Sequence, residues 1–170
     1  MKNTLKSCMN LWKVTAVCMA VVLFASTSMQ YVAAKSSGYQ FTYNKVTISM
    51  HGKAAKFIKK AGKPKKIKVK KSCAYKGKDR TRWYDGFILY TYSKSDKGAE
   101  YVSGVTFRDD SVKTPEGIKI GSSLSDVQKA YGKTKDEFGI YTYKKGDSRL
   151  QIEIIDNKVT NLRYTIASNK

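Results

Sequence analysis

Two side chains in this sequence have the chemistry to serve as a nucleophile and a base. His51 is the sole histidine, and Cys73 is the cysteine left once Cys8 and Cys18, near the N-terminus, are set aside. A catalytic Cys–His pair needs the two in hydrogen-bond contact. No spacing in the chain predicts that contact, so both read as ordinary local residues. Zinc takes three or four N/S ligands, more than these two supply, and no metal site is expected. Asp109 and Asp110 are adjacent, and adjacent side chains on an extended chain point to opposite sides; they read as an acidic turn and not as a carboxylate pair. No Gly-rich phosphate loop, Gly-x-Ser-x-Gly elbow or His-Glu-x-x-His is present. The expectation is a protein that is not an enzyme and carries no cofactor.

The remaining chemistry is that of binding. Lys53, Lys56, Lys59, Lys60, Lys63, Lys65, Lys66, Lys68, Lys70 and Lys71 occur with no acid between Lys53 and Asp79. On a helix, Lys53, Lys56, Lys60 and Lys63 form a stripe beside an apolar face. In Lys66-Ile67-Lys68-Val69-Lys70 the alternation puts each Lys on one strand face and predicts Ile67 and Val69 in the core. Such a run either keeps an exported protein soluble and guards a sheet edge, or it binds a polyanion: a phosphate polymer, anionic lipid headgroups or an acidic protein. In the second case affinity falls as salt rises. Tyr90 and Tyr92, and Tyr141 and Tyr143, sit two apart, so on strands each pair shares a face. They form either an aromatic interface platform or part of the core, and the sequence leaves both open. Nucleic acid is a third, disfavoured partner: basic residues interleave with aromatics, but no recognition motif is present and the chain reads as exported.

Export follows from the N-terminus. Lys2, Lys6 and Lys13 precede an apolar run from Val14 to Phe24, and the segment then turns small and polar, ending Val32-Ala33-Ala34. This reads as a signal peptide over 1–34. The apolar run of 11 residues is short of the ~20 a spanning helix needs, so no transmembrane segment is expected after cleavage. The expected site of action is secreted or at the cell surface. Of the 33 basic residues, three fall in the signal, leaving 30 against 13 acids, a formal +17. With one cysteine left, no internal disulfide can form, and stability must come from a core.

The elements that would position these residues repeat. Ile48 through Pro64 lies over Ile118 through Thr134 at a constant offset of 70. Met50, Ala54, Phe57 and Ala61 match Ile120, Leu124, Val127 and Tyr131, a spacing that predicts one apolar helix face in each half. Gly62 and Gly132 end the helices, and Ser122 or Ser123 caps the second, with Asp126 in its first turn. Strand-like segments follow each helix, and Asp156-Asn157 reads as a tight hairpin turn. The predicted organisation is a first helix-plus-sheet module over 35–108, with a Lys-rich insertion; a linker over 109–117; and a second module over 118–170. The predicted fold class is α+β, two tandem modules, each a short helix packed on a small antiparallel sheet.

The segment Gly117-Ile-Lys-Ile-Gly-Ser-Ser-Leu-Ser-Asp-Val-Gln-Lys-Ala-Tyr-Gly-Lys133 resembles the signature of the β-lactamase-inhibitor-protein-like and outer-membrane assembly lipoprotein (SmpA/OmlA) superfamily. The first half is similar over Ile48 to Pro64 but has His51-Gly52 where the signature has Gly-x-Ser. The resemblance implies tandem modules and non-catalytic protein binding, and it carries over no catalytic residue. The sequence thus predicts an exported binding module that engages a protein or a polyanionic cell-envelope component, with a structural or assembly factor of the envelope as the alternative. The candidate binding residues are Lys53, Lys56, Lys60, Lys63, Lys66, Lys68, Lys70, Tyr90, Tyr92, Tyr141 and Tyr143.

Overall fold

A computed structural model describes residues 38–167; the signal segment read over 1–34 lies outside them. β1 (Gln40–Tyr43) and β2 (Val46–Ser49) form a hairpin, turned by Asn44 and Lys45, which both have positive φ. A short helix, α1 (Ala55–Ala61), follows, then β3 (Lys66–Lys71), β4 (Lys78–Trp83), β5 (Phe87–Ser93) and β6 (Glu100–Phe107). The chain continues through α2 (Leu124–Tyr131) to β7 (Asp136–Glu137), β8 (Ile140–Lys145), β9 (Ser148–Ile155) and β10 (Lys158–Ile166). The last eight strands form one antiparallel sheet in the order β3-β4-β5-β6-β10-β9-β8-β7.

This overturns the expectation of an α+β fold with two helix-on-sheet modules. The described residues are mostly β, 49% strand and 12% helix, with one large sheet and a separate two-stranded hairpin. The reason lies in the seam. β6 and β10 each end a run of hairpin-linked strands, and each would otherwise present an open row of backbone donors and acceptors. They pair with each other instead, Thr106 opposite Arg163, Val105 opposite Tyr164 and Gly104 opposite Thr165. Phe57 of α1 and Val127 of α2 then bury into a single hydrophobic cluster with Phe41, Phe87, Leu89, Leu150, Leu162 and Tyr164.

Local signals account for the helix ends. Gly62 and Gly132 follow the two helices with φ of 82° and 85°. Ser123 caps α2: its hydroxyl accepts from Asp126 N at 3.1 Å, while Asp126 Oδ2 accepts from Ser123 N at 3.2 Å. The Ser123 hydroxyl and backbone N–H together hold the Asp126 carboxyl below its ordinary range. Ser123→Ala is expected to lower the unfolding free energy by about 1 kcal/mol, the usual worth of such a cap; an unchanged urea midpoint would contradict that role. Met50 and His51 lie in a turn before α1, not in its first turn.

A second correction concerns β3. Ile67 and Val69, expected in the core, are each 52% exposed. β3 is the edge strand, and its neighbours across the ladder on that face are Arg82 and Arg80, not apolar side chains. Burial there is taken by Arg82, which is 7% exposed. Its guanidinium is held by Thr91 Oγ1 at 2.9 Å and Glu100 Oε1 at 3.0 Å. Among the described residues no helix is long and apolar enough to cross a membrane.

Candidate functional site

Side chains alternate across a strand, so the burial of Phe87, Leu89, Thr91 and Ser93 turns Ile88, Tyr90 and Tyr92 to the face away from the helices. Pairing carries that outward face across to the edge: Tyr92 lies beside Asp79 and Lys70, Tyr90 beside Thr81 and Lys68, and Ile88 beside Trp83 and Lys66. The Lys66 ammonium stands 5.4 Å from the centroid of the Trp83 ring, a cation–π contact. Lys66, Lys68, Lys70, Tyr90 and Tyr92 therefore share one face of three adjacent strands.

The other candidates do not join them. Lys56 and Lys60 are exposed on α1, Lys63 just beyond it and Lys53 just before it. Since Phe57 of that helix packs on Phe87 at 6.1 Å between ring centroids, the sheet lies between this stripe and the lysines of β3. Tyr141 and Tyr143 pair with Ile152 and Leu150 on the buried face. Tyr143 packs its ring on Tyr131 at 5.3 Å and donates its hydroxyl to Gly132 O at 3.0 Å. These two tyrosines are core and core-edge residues and form no platform; the same two-residue spacing has met the opposite side of the sheet.

Around Tyr90 and Tyr92 the surface folds into an open cleft of about 630 Å³, lined by Lys70, Cys73, Tyr75, Thr81 and His51 among others. The 72–77 turn closes one side. Gly77 permits this: a Cβ there would stand 2.0 Å from the Ser93 carbonyl oxygen, so any other residue would push the turn off β5. Tyr75 stacks on Tyr92 at 5.1 Å and 16°, and Tyr101 approaches Tyr92 from the opposite neighbour at 5.7 Å.

His51 and Cys73, which no sequence spacing brings together, line this same cleft. His51 reaches it from the β2–α1 turn, where it has φ of 61° and its N–H donates to Val102 O at 2.9 Å. Its Nε2 is 3.5 Å from Asp147 Oδ2 and its Nδ1 3.2 Å from the Tyr92 hydroxyl. Burial, reinforced by Tyr75, Tyr101 and Asp147, raises the Tyr92 phenol above its ordinary 10.0, so it keeps its proton at neutral pH. One ring nitrogen of His51 thus hydrogen-bonds the Tyr92 hydroxyl and the other faces the Asp147 carboxylate. Both ring nitrogens are engaged in holding the Tyr92 ring in place. Cys73 is a free, exposed thiol.

The cleft offers stacked aromatic surface, the hydroxyls of Ser72, Thr81 and Ser103, and a cationic rim on β3. Among the described residues no group of three His, Cys, Asp or Glu side chains is placed to hold a metal ion. The convergence of Tyr75, His51 and Cys73 was not legible in the sequence, because it depends on a turn that crosses β5 and on the loop ahead of α1. Gly77 was the available signal for a close backbone approach. The class these features define is a mostly antiparallel-β protein with an aromatic, basic cleft on its helix-free face. No family model, curated protein or solved structure matches the chain.

Proposed function

We propose that this protein is an exported, non-catalytic binding module that engages a polyanionic component of the cell envelope through the outer face of β3–β5. The observation that carries this reading is the strand register, which aligns Lys66, Lys68 and Lys70 with the row leading to Tyr90 and Tyr92. A flexible polymer laid across these strands meets cations at the edge and aromatic surface further in. Lys offers point charges suited to phosphate or carboxylate groups without fixed geometry. The secretory reading of 1–34 supports the compartment, and the resemblance of 117–133 to a superfamily of binding proteins supports a role without catalysis. The second reading, an assembly factor of the envelope, draws on the open edge of β3.

The test is retention of the exported chain on an immobilised phosphate polymer across a salt series. Exposed ion pairs are worth roughly 0.2–1 kcal/mol each, so replacing Lys66, Lys68 and Lys70 together by Gln is expected to weaken retention by about ten-fold. The matched variant with Lys53, Lys56, Lys60 and Lys63 replaced by Gln lies across the sheet and is expected to change it far less. Retention that persists unchanged at ~0.5 M salt, where screening acts within about 4 Å, removes the electrostatic reading.

A further inference from the structure

The edge of β3 is a different surface from the cleft face, and it carries its own information. All six residues of β3 are exposed, and β3 has a neighbour on one side only. Ser72 N donates to Gly77 O at 3.0 Å at the end of the ladder. Counting back in twos, the backbone groups of Lys70, Lys68 and Lys66 point toward β4 and those of Val69, Ile67 and Lys71 point outward, as antiparallel pairing requires. Three outward residues each present one N–H and one C=O. The side chains alternate in step: Lys66, Lys68 and Lys70 toward the cleft face, Ile67 and Val69 toward the other.

We propose that this edge accepts an extended acidic segment of a protein partner as an added strand. Its acidic side chains stand opposite Lys66, Lys68 and Lys70, and its apolar side chains stand opposite Ile67 and Val69. The charge selects the partner. A second copy pairing β3 against β3 would bring lysine against lysine, and like charges directly opposite are destabilising, so self-association is disfavoured while an acidic strand is favoured. Of the lysines here, Lys70 lies 3.9 Å from Asp79 and Lys65 pairs with Asp85. Among the described residues, Lys68 and Lys71 have no carboxylate within ion-pairing distance. A strand that only repelled copies would gain nothing from two β-branched side chains each 52% exposed. In strand addition they become the cross-strand contacts that set register, with backbone bonds supplying affinity.

The probe is a short synthetic peptide of alternating Glu and Val, titrated into the exported chain. Two further peptides of identical charge carry N-methyl groups on alternate residues, one in each of the two frames. In one frame the methyls replace the N–H groups that would face β3; in the other they face solvent. The expected result is that the unmethylated peptide and one frame bind alike, the other frame binds at least about ten-fold more weakly, and amide exchange slows at Ile67, Val69 and Lys71. Val69→Pro removes an outward N–H at an edge, where proline is tolerated; it is expected to lose the peptide and keep retention on the phosphate polymer. Equal binding of both methylated frames overturns strand addition and leaves the polyanion reading standing. Failure of all three peptides to bind at low salt overturns it as well.

Discussion

Glu100→Ala is expected to lower the unfolding free energy by about 3–5 kcal/mol, the range for breaking a buried ion pair from one side. Glu100 is the hub of a polar network beneath the cleft. One carboxylate oxygen accepts from Arg82 Nη2 at 3.0 Å and the other from the Thr91 hydroxyl at 2.9 Å. Arg80 Nε lies 3.3 Å away. The Arg82 side chain is 9% exposed and that of Glu100 20%, so removing the carboxylate leaves a largely buried guanidinium without its counter-charge. Acid gives the same result from another direction. Burial by itself would push the Glu100 carboxyl up, but the hydrogen bonds from Arg82 and Thr91 and the charges of Arg82 and Arg80 outweigh it and hold the group below its ordinary 4.5. With the folded value below the unfolded one, the unfolded chain binds the proton more readily. The contribution is thus present above about pH 4.5 and is lost as the pH falls through the folded value. Urea unfolding at pH 7 and through the acid range, for the wild type and Glu100→Gln, checks both points. Parallel pH profiles for the two proteins would remove Glu100 as the cause. Thr91 lies between Tyr90 and Tyr92, so loosening this network is also expected to blur the aromatic surface of the cleft.

Phe41→Ala is expected to cost about 3–5 kcal/mol, as for other fully buried aromatics. Phe41 belongs to the small hairpin, which shares no ladder with the large sheet. Its ring, 0% exposed, lies 5.1 Å from Phe87, 5.5 Å from Phe107 and 5.9 Å from Phe57 between centroids. One side chain thus fastens the hairpin and α1 to β5 and β6 together. Ile67→Ala and Val69→Ala, by contrast, are expected to stay within about 1 kcal/mol, because half-exposed side chains lose little burial. Chemical denaturation of the three variants tests the contrast directly. A Phe41→Ala cost below about 1 kcal/mol would mean that this ring does not fasten the hairpin.

What is local was legible in the sequence. Helix stops at Gly62 and Gly132, the Ser123–Asp126 cap and the Asp156-Asn157 turn depend on residues within a few positions of one another, and their signals survive without knowledge of the rest. The inventory of lysines and tyrosines was likewise plain. The alternation in β3 also told correctly that Lys66, Lys68 and Lys70 share a face. Alternation has a period of two but no sign: it states which residues lie together, not which side is buried or whether the strand is an edge. That is why Ile67 and Val69 proved exposed, and why Tyr90 and Tyr92 face away from the helices while Tyr141 and Tyr143 face toward them. The halves themselves suggested two small sheets because each is built of neighbouring hairpins. Only the β6–β10 pairing, between residues more than fifty positions apart, made them one. The meeting of His51, Tyr75 and Cys73 around Tyr92 depends on contacts between segments far apart in the chain: the 72–77 turn reaches β5, and His51, from the loop ahead of α1, bonds Val102 O of β6. The sequence by itself determined the charges, the aromatic residues and the local turns. Tertiary structure decided which of them meet, because the pairing of distant edges is set by satisfaction of backbone hydrogen bonds and burial of a shared core, and neither is written in any short window of residues.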